Sequence, residues 1–91
     1  MARMADASGE RSIYEAALDR PIEIYDNTGS RIRAVRVFVV EISRTTSPSY
    51  ALAFHDADGE TLEWLQYDTL EIALDQAAEL GIGRTEWSEI A

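Results

Sequence analysis

The stretch from Ile32 to Ile42 constrains this chain more than any other, because it is apolar on both sides of an extended backbone. Val35, Val37 and Val39 share one parity, and Phe38, Val40 and Ile42 share the other. Side chains alternate between the two faces of a strand, so a run apolar on both must be covered on both, which predicts a central strand. Arg33 and Arg36 mark its early, wetter end.

The neighbours of that strand follow from turn chemistry. Ile22 and Ile24 alternate with Glu23 and Tyr25 after Pro21, and Asp26, Asn27, Thr28 and Gly29 then form a reversal, so strand one pairs with strand two. Residues 43–49 are polar and include Pro48, which has no amide to give a ladder. Tyr50–His55 and Thr61–Tyr67 flank Asp58-Gly59, a strong hairpin signal. Asp68 with Glu71 three positions on reads as a capping box, and Leu70, Ala73, Leu74, Ala77 and Leu80 line one helical face before Gly81. The spacing predicts a helix over 69–80.

The ends are less patterned. Residues 1–11 are small, polar and charged, as in a disordered tail. Ser12 and Glu15 fit a second capping box, and Ile13, Ala16 and Ala17 predict a short N-terminal helix that Pro21 stops. In 83–91, Thr85, Trp87 and Ile90 fit a helical turn and an extended segment equally. The fold class expected is α+β: a four-stranded antiparallel meander with one C-terminal amphipathic helix on one face, residues 12–91 forming a single domain. One helix covers only one face, so the other must be solvated, dimeric or bound to a partner.

Composition limits the chemistry. The 91 residues contain no cysteine and one histidine, so neither a thiolate centre nor a histidine-based metal site can be built. No G-x-S-x-G elbow or phosphate-binding glycine loop occurs, and His55 beside Asp56, Asp58 and Glu60 lacks the spacing of a calcium loop. We therefore expect a non-enzymatic protein without cofactor or metal. No stretch is long and apolar enough for a membrane helix, which makes a cytoplasmic location the expectation. The cations are all arginine, as in a GC-rich bacterial coding sequence.

Charge supplies the functional expectation. Seven arginines match seven acids in residues 1–45, whereas residues 46–91 hold ten acids against Arg84, so the net charge of −9 lies in the second half. A one-signed surface steers opposite charge toward it. Glu71, Asp75 and Glu79 form an i, i+4 column, Glu63 adjoins Trp64, and Glu86 and Glu89 bracket Trp87. Interface centres favour tryptophan, so Glu63, Trp64, Glu71, Asp75, Glu79, Glu86 and Trp87 are the candidate partner-binding residues, each tryptophan being core or anchor.

The leading expectation is an acidic protein-binding module that docks on a basic protein. An inhibitor or immunity-type protein acting on a nucleic-acid-handling partner is one form of it. The alternative is a homodimeric assembly domain using the uncovered sheet face. Nucleic-acid binding through Arg31, Arg33 and Arg36 is disfavoured, because the acidic half repels a polyanion.

Overall fold

The computed structural model describes residues 9–25, 28–43 and 47–90. Five strands, β1 (Glu10–Tyr25), β2 (Arg31–Ile42), β3 (Ser49–His55), β4 (Thr61–Tyr67) and β5 (Ser88–Glu89), form one antiparallel sheet of order β4-β3-β2-β1-β5. Helix α1 (Leu70–Glu79) packs on one face. The α+β class and the central position of β2 are as the sequence implies.

The N-terminal region departs from expectation. Ser12–Ala17 is not helical: it belongs to β1, a 16-residue strand pairing with β2 from Glu10↔Ile42 to Tyr25↔Arg31. Ile13, Ala16 and Ala17 satisfy a helical period, but β2 offers an unpaired apolar edge, and the ladder overrides local propensity. Pro21 is tolerated because it sits within a register shift between Ala17 and Ile22, where no ladder donor is required. Gly9 to Arg11 are also not a free tail, since the Gly9 carbonyl accepts from the Ser43 amide at 2.7 Å and Arg11 pairs opposite Glu41. Residues 1–8, Asp26 and Asn27, where the sequence predicts a reversal, and Arg44 lie outside the described residues.

The sheet has a fifth strand beyond the four that the sequence implies. Ser88 and Glu89 pair with Glu15 and Tyr14, and the Ile90 amide donates to the Ile13 carbonyl at 3.0 Å. This settles the tail as a 3-10 turn (Arg84–Glu86) followed by an extended end.

The helix start is also shifted by one residue. Thr69, not Asp68, is the N-cap, its Oγ1 accepting from the Ile72 amide at 3.1 Å, so Glu71 occupies N2 and closes no box. At the other end Gly81 takes φ +102°, and the Ile82 and Gly81 amides donate to the Ala77 and Ala78 carbonyls. This Schellman closure turns Ile82 into the core. The main core comprises Val37, Val39, Leu52, Phe54 and Ile82, all at 0% exposure, against Ala73 and Ala77 of α1. Two helical alanines let the α1 backbone approach the sheet closely. Val35 is not in the Val37 and Val39 row: the inward parity switches from Ile32 and Ala34 to Val37 and Val39 across it, opposite the β1 shift.

Candidate functional site

No described element packs over the second face of β1 to β4. Pairing sets Glu15, Phe38, Ala53 and Trp64 in one row across the four strands, with Ser12, Val40, Ala51 and Gln66 in the next. Ala17, Arg36, His55 and Thr61 form the row on the other side. Paired residues share a face, so these rows make a continuous surface. Its centre is a second apolar cluster of Val40, Ile42, Ala51 and Ala53, with Phe38 packed against it.

Relief on this face comes from alternating large and small side chains. Ala53 is 2% exposed, while Trp64 beside it on the outermost strand is 37% exposed. Phe38 lies on the other side of Ala53, its ring centroid 4.8 Å from that of His55 at an interplanar angle of 59°. Across His55, the Thr61 hydroxyl lies 3.2 Å from Nε2. Together these residues line a groove of about 300 Å³ whose far wall is Glu10 and Ser12. A second groove of about 410 Å³ lies past the Phe38–His55 pair, between Val35 and the β3–β4 turn.

That turn explains part of the local charge. Asp56 Oδ1 accepts from the Asp58 and Glu60 amides at 2.9 and 3.0 Å, so Asp56 holds the turn, and Gly59 takes φ +87°. Asp58 and Glu60 are exposed and make no ion pair among the described residues. The cations beside the face are engaged. Arg36 Nε is 3.0 Å from Glu15 Oε2, and Arg11 Nη2 is 2.8 Å from Glu41 Oε1. Of the arginine cluster, Arg31 is also paired, 3.5 Å from Glu23, and Arg33 lies opposite that glutamate in the ladder.

The seven residues singled out from the sequence fall in three places. Trp64 stands on the second face, and the Glu63 carboxylate accepts from the Trp64 amide at 3.0 Å, on the free edge of the sheet. Glu71, Asp75 and Glu79 lie exposed on α1, but the column is not uncompensated. Arg84 Nη2 bridges Glu71 at 2.9 Å and Asp75 at 2.6 Å, and these hydrogen bonds, Asp75 first, hold its pKa above the usual guanidinium range. Glu79 stands near Tyr67, whose phenol is raised above its ordinary value by burial and, after that, by this charge.

Trp87 and Glu86 lie elsewhere again. The Trp87 ring packs against the main core with Nε1 buried and unpaired, and Glu86 Oε2 accepts from the Gly83 amide at 3.3 Å. The two tryptophans therefore belong to opposite sides of the sheet. Phe38, Ala53 and His55 are not among the seven partner-binding candidates read from the sequence. Their signal was the second apolar parity of β2 facing two alanines of β3.

No protein family, characterised protein or solved structure matches this chain significantly. No group of three or more His, Asp or Glu residues among those described could hold a metal ion. No described helix is long and apolar enough to cross a membrane. Fold and site define a small α+β domain with an aromatic-walled groove on its helix-free sheet face.

Proposed function

We propose that this chain is a non-enzymatic protein-binding domain that docks on a basic partner through the helix-free face of its sheet. The observation that carries this is the Phe38–Ala53–Trp64 row: an indole exposed on the edge strand β4 and a half-buried phenyl ring on β2 flank the small Ala53 of β3. Aromatic anchors with surrounding low-relief apolar surface are what interface centres are made of. The net charge of −9 and the unpaired Asp58 and Glu60 favour a cationic partner and speed its encounter. An inhibitor that fills the basic groove of a nucleic-acid-handling protein is one form of this reading. The arginine cluster offers little to a polyanion, since Arg31 and Arg36 are held by Glu23 and Glu15.

Photo-crosslinking in the source cells tests the proposal. A photoreactive residue at position 64 should give one discrete protein adduct, and one at position 72, on the outer side of α1, should give none. An adduct from position 72 alone would move the docking surface to the helix.

A further inference from the structure

Resting on that reading, we propose that the slot between Phe38 and Trp64 receives an extended basic segment of the partner, one aliphatic or aromatic side chain seated over Ala53 and flanking arginine or lysine directed to Asp58 and Glu60. Neighbouring strands lie about 4.8 Å apart, so the β2 and β4 backbones that carry the two rings are separated by roughly 9 to 10 Å. The residue between them in the row is Ala53, itself only 2% exposed, so the seat lies above its methyl and is walled by the two rings. That gap matches one side chain rather than a helix, whose diameter of about 10 to 12 Å exceeds it.

Spacing along the strand fixes the chemistry on either side of the seated residue. Positions two apart in an extended chain are about 6.6 Å apart and point the same way. The neighbouring position therefore comes over the His55 and Thr61 row, from which a long cationic side chain reaches the exposed Asp58 and Glu60 of the turn. The segment lies across the face and does not extend the ladder at its middle, because the Trp64 amide is already taken by the Glu63 carboxylate.

A second copy of this chain fits less well. Each copy carries −9, and the two arginines next to the face are already paired with Glu15 and Glu41.

The test titrates the isotope-labelled full chain with three synthetic heptapeptides, serine at every other position: Arg-Leu has leucine at its centre and arginine two positions away on each side, Arg-Ser has serine at that centre, and Glu-Leu has glutamate in place of the arginines; amide and indole resonances are followed. The Arg-Leu peptide should shift Ala51, Ala53, His55 and Trp64, bind at least tenfold more tightly than the other two, and weaken with salt. Trp64→Ala should cut its affinity at least tenfold while the spectrum stays dispersed. Equal binding of Arg-Ser, or shifts confined to Asp75 and Glu79, would reduce the effect to general attraction of cations and overturn the proposal. Concentration-dependent shifts of the same residues without peptide would assign the slot to a second copy. If a partner crosslinks at position 64 but no peptide binds, the docking reading stands and this inference falls.

Discussion

Ala53 pairs with Trp64 across the β3–β4 ladder, a methyl group at 2% exposure beside an indole at 37%. The other tryptophan, Trp87, packs on the opposite side against the main core. Truncating the two should therefore have different consequences. Trp87→Ala removes a ring packed on the main core and should destabilise the domain by about 2 to 4 kcal/mol, whereas Trp64→Ala, which leaves that core intact, should cost about 1 to 2 kcal/mol. Chemical denaturation of both variants checks this, and similar losses would contradict the placement of Trp64.

The helix start gives a sharper comparison between adjacent residues. Thr69 Oγ1 accepts from the Ile72 amide, and Asp68 makes no such bond. Thr69→Ala should cost about 1 kcal/mol. Asp68→Ala should shift the melting temperature much less, and a reversed order would restore Asp68 as the cap.

Arg84 ties the C-terminal segment to α1 through Glu71 and Asp75. These groups are exposed, so salt screens the tie and its contribution to global stability is small. Its effect should be local: Arg84→Gln should speed hydrogen exchange at the Ile90 amide, which bonds Ile13, without speeding exchange in β2 or β3. Uniform acceleration across the sheet would give Arg84 a global role instead.

Tyr67 provides a pH test. Burial raises its phenol above 10.0, and Glu79 adds to that. The folded state thus favours the neutral phenol. This stabilisation is complete below the ordinary value of 10.0 and is lost as pH rises through the higher folded value. Spectroscopic titration of Glu79→Gln should show a Tyr67 pKa lower than in the parent but still raised, because burial remains. An unchanged value would exclude Glu79 as a contributor.

Much of this fold was legible because local signals agreed with each other. Leu70, Ala73, Leu74 and Ala77 repeat at helical spacing between a capping residue and Gly81, and Asp58-Gly59 sits between two alternating runs. Ser12 to Ala17 was misleading because its spacing suits a helix while its partners in β2, from Val40 to Arg36, lie far along the chain. Likewise Arg84 could not be matched to Glu71 and Asp75 from sequence, since the Schellman turn at Gly81 folds it back onto them. The groove depended on register: Phe38, Ala53 and Trp64 are separated by loops, and only the ladder aligns them. The second apolar parity of β2 did show that a second apolar face had to exist.

The most direct test of docking through this face is a titration of the partner captured at position 64 against two variants of the full chain. Trp64→Ala should weaken binding by about 30-fold or more, the loss expected for an aromatic anchor. Asp75→Ala, on the opposite side and paired with Arg84, should change affinity less than about threefold, the scale of an exposed ion pair. A large loss for Asp75→Ala with little change for Trp64→Ala would contradict the account and place the interface on the helix.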